Sequence, residues 1–223
     1  MPSNNNTIII LFLLSYTFVF YNLFIVGYFN TNIYSQNSIT KIKLDLTNKN
    51  TNSNNNNNNN WLNYTDNKEN FTTIYPKGWE IIKIKNNEAD QTRFLTIFKS
   101  PKENINDTFQ ENIVISIIKS NKTTSNNKYN TNDTDIQNIV EKLASNNKDF
   151  KLGNVSIINI NNNQSGKSIK YSFRNSGVGF TTEQIFSIAN NKIYIFSLLA
   201  EQNTFEKYIF ILNTMLKNFN SIK

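Results

Sequence analysis

From Trp61 onward, short runs in which apolar and β-branched residues alternate with polar ones recur between turn-forming residues, the pattern of half-buried strands. Phe71 to Tyr75 (FTTIY) gives the first run. Pro76, Lys77 and Gly78 then make a turn, since Pro fixes one dihedral and Gly tolerates an unusual one. Trp79 to Ile84, Phe94 to Lys99 and Asn112 to Lys119 follow as strands, the last a dense β-branched run. At Thr134 the period changes. Ile136, Ile139, Val140 and Leu143 share one helical face, Thr134 and Gln137 stand at reciprocal capping positions, and Asn146–Asn147 ends the helix.

Strands resume over Lys151 to Ile160 and Ser168 to Arg174, with Asn163 to Lys167 (NQSGK) read as a polar turn between them. Gly179 to Ala189 and Lys192 to Ala200 flank Asn190–Asn191 and predict a tight hairpin, because Asn tolerates left-handed backbone. A final helix is capped by Asn203, with Glu206 three positions on. Phe205, Tyr208, Ile209, Leu212, Met215, Leu216 and Phe219 form a face broad enough to lie against a sheet. Strands next to one another and able to form hairpins predict an α+β fold, a mainly antiparallel β-sheet flanked by α-helices, rather than a doubly wound parallel one.

The first sixty residues behave differently. Ile8 to Phe29 contains 22 uncharged residues, a helix of roughly 33 Å against a bilayer core of about 30 Å. It predicts an N-terminal hydrophobic helix preceding the fold. Residues 1–30 are therefore expected to be a membrane anchor or signal segment, residues 31–60 an Asn-rich disordered linker, and residues 61–223 the folded domain. Within the linker, Ile39 to Leu46 (ITKIKLDL) alternates as one short strand would. Asn supplies 45 of the 223 residues, and the tract before Trp61 cannot bury enough apolar surface to offset its ordering entropy.

Charge narrows the function classes. The net charge is +7, but Lys and Asp/Glu are interspersed after residue 40, and Arg occurs only at Arg93 and Arg174. A nucleic-acid face would cluster its cations, so no nucleic-acid partner is expected. With no Cys and no His, disulfides, thiolate nucleophiles, imidazole ligands and serine–histidine triads are excluded. Oxygen ligands remain: Asp107 and Glu111 are four apart and Asp133 and Asp135 two apart, neither set matching a dense calcium loop. Asp133 and Asp135 also suit a helix N-terminus. Ser165, Gly166, Lys167 and Ser168 invite comparison with a Ser–Lys nucleophile, and Gly177-Val178-Gly179 lacks the spacing and the Lys of a phosphate loop.

Several segments, in order, resemble the PsbP-like family: NYTDNKENFTTIYPKGWEI (Asn63 to Ile81), FKSP (Phe98 to Pro101), ENIVISI (Glu111 to Ile117), GFTTEQIFSIANNKIYIFSLLAEQNTFEKY (Gly179 to Tyr208) and MLKNF (Met215 to Phe219). Phe71, Tyr75, Pro76 and Trp79 carry the signature and are read as turn and core residues. The resemblance implies an antiparallel sheet with helices on both sides and a non-catalytic, extrinsic protein. Photosynthetic members serve photosystem II on the lumenal side and help retain calcium and chloride there. The chain departs from them in lacking His and in carrying a hydrophobic segment where a plastid transit peptide would stand, so it reads as an anchored, non-plant, prokaryotic member.

The expectation is a cell-membrane protein, single-pass through Ile8–Phe29, whose extracytoplasmic C-terminal domain binds or stabilises a protein partner or membrane complex; secretion is the alternative placement. No cofactor is expected. A small-molecule or calcium-binding envelope domain and a hydrolase stay open as other functions.

Overall fold

The computed structural model describes residues 60–84, 92–107, 109–119, 133–161, 164–190 and 192–222. Among them the order is β1 (Trp61–Asp66), β2 (Phe71–Pro76), β3 (Glu80–Lys83), β4 (Thr92–Lys99), β5 (Asn112–Lys119) and α1 (Asp133–Asn146). Then follow β6 (Lys151–Asn161), β7 (Gln164–Asn175), β8 (Val178–Ala189), β9 (Lys192–Glu201), α2 (Phe205–Lys217) and β10 (Asn220–Ser221). Seven strands form an antiparallel sheet in the order β3-β4-β5-β9-β8-β7-β6, and three form a second antiparallel sheet, β1-β2-β10. The fold is α+β, with helices on both faces of the large sheet.

Alternation along the strands assigns side chains to two cores. On β5, Ile113, Ile115 and Ile117 join one cluster, while Ile118 belongs to the other face. The first cluster lies between the large sheet and a layer made of α2 and the small sheet. It contains Phe71, Phe98, Tyr194, Phe196, Phe205, Leu212, Met215 and Phe219. The second, holding Ile169, Tyr171, Phe173, Phe180 and Phe186, takes Leu143 from α1. Because β5, β9 and β8 are covered on both sides, they read as nearly continuous apolar runs.

Two hairpins rest on left-handed residues. Asn190 has φ 50° in the two-residue connection between Ala189 and Lys192, as the sequence predicts. Ser176 and Gly177, with φ 50° and 84°, make the equivalent turn between Asn175 and Val178.

Some expectations are corrected. Of the segment Asn163 to Lys167 read as a turn, Asn163 lies outside the described residues and the rest is strand: β7 begins at Gln164, and Gly166, Lys167 and Ser168 pair with both β6 and β8. A further strand, β1, precedes Phe71 and pairs with β2 along its length. The residue capping α2 is Thr204, not Asn203, and its backbone is already helical.

The single-pass membrane placement is also corrected. Among the described residues no helix is long and apolar enough to cross a membrane. The two helices have 14 and 13 residues, roughly 20 Å each, against a hydrocarbon core of about 30 Å. The Ile8–Phe29 segment, the Asn-rich linker and the Ile39–Leu46 strand lie outside the described residues.

Candidate functional site

Phe71 opens β2 and is fully buried, 5.8 Å from the rings of Tyr64 and Tyr194 and 5.9 Å from that of Phe219. Tyr75, on the same strand, packs on Phe98 at 5.4 Å. The carbonyl of Pro76 accepts the Trp79 N–H at 3.2 Å, closing a turn in which Gly78 has φ 92°, the conformation a type II turn needs at its third residue. The turn delivers Trp79 to Tyr208 of α2 at 5.9 Å. Phe71, Tyr75 and Trp79 thus meet one core from one hairpin and its exit, with Pro76 between them.

The oxygen-rich positions are occupied by the protein itself. Asp107 accepts the main-chain N–H groups of Glu103 (2.8 Å) and Phe109 (3.0 Å), folding its own loop. Glu111 is buried and accepts hydrogen bonds from the hydroxyls of Thr204 (2.5 Å) and Ser100 (3.4 Å), joining β5 to the start of α2. Nearby, Lys207 and Tyr208 donate to Glu103 and hold its carboxyl below the usual range. Burial, with Glu111, Asp107 and Glu103 around it, pushes the Glu201 carboxyl up. Calcium takes six to eight oxygens, and a pair already committed to loop amides and hydroxyls does not fit a resident ion. Asp133 and Asp135 fall in the first turn of α1. Among the described residues no three His, Cys, Asp or Glu side chains are grouped so as to hold a metal.

The Ser–Lys comparison fails on two counts: Ser165, which shares a face with Lys167, is exposed beside a half-buried lysine with nothing to desolvate it, and Ser168 is set apart by strand geometry. Lys167 and Ser168 are successive residues of β7, so their side chains leave opposite faces of the sheet. Ser168 donates to Glu183 at 2.6 Å, and Lys167 lines a surface groove. Gly166 is there because no side chain fits: a Cβ would stand 2.8 Å from both the Phe186 carbonyl oxygen and Ile160 Cδ1.

A buried ionic group was not legible in the sequence. Glu69, in the β1–β2 turn, faces Arg93 of β4 at 2.6 Å and Lys192 of β9 at 3.0 Å. Its main-chain carbonyl accepts hydrogen bonds from Lys192 Nζ and the Tyr194 hydroxyl, each at 3.1 Å. Burial, with Glu69 and Asp66 nearby, pushes the Tyr194 hydroxyl up to about 12. The arrangement fastens the small sheet to the large one.

An open feature of the described surface lies elsewhere. A groove of about 550 Å³ runs between α1 and the strand β6, lined by Gln137, Val140, Leu152, Val155, Ile157 and Lys167. Ile157 is 79% exposed and Leu152 45% exposed. Among the described residues β6 is the last strand of the large sheet.

The family model described as PsbP matches residues 59–221. The solved structure of cyanobacterial PsbP (CyanoP) from Synechocystis superposes with a TM-score of 0.51 at 16% identity, over 77% of this chain and 98% of that one. The Ran-binding protein Mog1p of Saccharomyces cerevisiae is similar with a TM-score of 0.47 at 10% identity, over 74% and 96%. LpqN of Mycobacterium tuberculosis, described as involved in cell envelope biogenesis, gives 0.45 at 10%, over 73% and 91%. Identities this low speak for fold and not for function. None of the curated proteins matches the chain in sequence.

Proposed function

The chain belongs to the PsbP family, and from that premise we propose that residues 61–223 form a non-catalytic domain that binds a protein partner along the groove between α1 and β6. The observation that carries this reading is Ile157, a β-branched apolar side chain 79% exposed beside Leu152, Val155 and Val140 on the last strand of the large sheet among the described residues. Contiguous exposed apolar surface rimmed by polar groups marks interaction sites. The polar groups of the groove, Gln137, Ser156 and Lys167, are the rim. They include no carboxylate to work against Lys167 as an acid–base pair.

The test is affinity capture with the full-length chain, comparing wild type with Ile157→Lys. The expected result is a specific protein retained by the wild type and lost by the variant, while a control change on the far side of the large sheet, Phe210→Lys on α2, retains it. Capture of a small ligand and no protein would overturn the reading.

A further inference from the structure

Among the described residues the two edges of the large sheet differ in kind. At one end β3 is four residues long, EIIK, and bears Glu80 and Lys83, with Glu80 paired to Lys99 at 2.7 Å. Shortness and charge are the usual devices that keep an edge from pairing. At the other end β6 is eleven residues long and carries one charged side chain, Lys151, at its first position. Register shifts at Leu152/Val155 and Asn159/Asn161 bracket five regular positions, Val155 to Asn159, with Ile157 at the centre.

We propose that a second copy of this chain pairs with the β6 edge, antiparallel, about a two-fold axis at Ile157. This rests on the partner-binding reading and names the partner. A two-fold interface must be compatible with itself, and in charge this segment is. Antiparallel pairing about Ile157 sets Val155 opposite Asn159, Ser156 opposite Ile158, and Ile157 opposite its own copy, so no like charges meet.

The nearest cation on the pairing line is Lys167, which stands beside Ile157 one strand inward. Three strand spacings then separate the two copies' lysines by roughly 14 Å, beyond a Debye length of about 8 Å. For a chain of net charge +7, a neutral edge is where two copies can approach. Val155 and Ile157 both line the groove under α1, so pairing brings the two Ile157 side chains into contact and runs one apolar groove into the other. An acidic peptide would be the occupant if Lys167 dominated, but it is the one charged group in an otherwise apolar and neutral lining.

The test uses the full-length chain. Sedimentation velocity is expected to show a monomer–dimer equilibrium whose midpoint moves at least tenfold to higher concentration in Ile157→Lys, with an unchanged thermal unfolding midpoint at dilutions where both chains are monomeric. The chain has no cysteine, so a single Ile157→Cys reports directly. Residues paired across an antiparallel two-fold have Cα atoms about 4.5–5.5 Å apart, within disulfide range. Mild oxidation should therefore link two copies through Ile157→Cys and not through Lys83→Cys on β3. A chain monomeric at every concentration, a dimer indifferent to Ile157→Lys, or equal linking from both cysteines would overturn the proposal. If the chain is monomeric and capture of another protein still needs Ile157, the dimer falls and the partner-binding reading stands. If neither dimer nor capture responds to Ile157→Lys, both fall.

Discussion

Arg93 Nη2 lies 2.6 Å from Glu69 Oε1, with both side chains more than nine-tenths buried. A pair taken out of water this completely is costly to half-dismantle, because the remaining charge keeps its desolvation penalty without its partner. Arg93→Ala is expected to destabilise the fold by about 3 kcal/mol, the low end of the range for such pairs, since Lys192 still reaches Glu69. The double change Glu69→Leu with Arg93→Met should recover most of that loss. Urea unfolding of the two variants checks both.

Phe71 touches three aromatic rings from three separate parts of the chain. Truncation to Ala removes contacts with the small sheet, β9 and the residues after α2 at once. The expected cost is about 3–5 kcal/mol, read as a lower denaturant midpoint with an unchanged slope. A slope that falls instead would point to loss of the small sheet from the native state.

Glu201 should give the fold a pH dependence of definite sign. Its folded carboxyl binds a proton more tightly than the unfolded chain does, through burial and the neighbouring acids Glu111, Asp107 and Glu103. Stability from this group is therefore fully present below the ordinary carboxylate range and is lost as pH rises through the raised value. Glu201→Gln removes the loss. The variant should be more stable at pH 7 by roughly 0.5–1 kcal/mol, the scale of partly exposed charge interactions, and the advantage should vanish below about pH 4. Glu103, whose carboxyl is lowered by Lys207 and Tyr208, supplies the opposite control: Glu103→Gln should weaken the fold at neutrality and have no effect in acid.

Gly166→Ala tests the close approach of β7 to its neighbours. Ile160 Cδ1 can swing aside, but the Phe186 carbonyl oxygen belongs to the β8 main chain and cannot. An expected loss of about 1–3 kcal/mol follows from overpacking. The signature to look for is early exchange of the amide hydrogens shared by β6 and β7.

What the sequence made legible was whatever depended on near neighbours. The Asn190 hairpin, the β-branched run of β5 and the apolar face of α2 each announce themselves within a few residues. β1 did not, because WLNYTD buries one side chain, Tyr64, and shows no alternation. Gly166 misled for a similar reason: beside Ser165 and Lys167 it looks like a turn, and its real cause is a carbonyl on β8 some twenty residues away. Phe71 and Trp79 could be picked out by pattern, but the rings they meet could not. Glu69, Arg93 and Lys192 come together only through the topology of two sheets. Ile157 reads like any other core isoleucine in SIINI; its exposure is a property of being on the last strand, which no local window contains.

The small sheet is stitched from distant parts of the chain. β10 pairs Asn220 with Thr72 and Ser221 with Phe71, while the Ile222 N–H donates to the Asn70 carbonyl at 2.8 Å. A polypeptide emerging from the ribosome makes residues 61–76 early and Asn220 late. The early hairpin must wait through the synthesis of everything between before its third strand exists, and contacts that span so much chain form slowly. Until then Phe71 lacks the Phe219 ring that helps seal it, and the nascent domain exposes an aromatic surface for chaperones to shield.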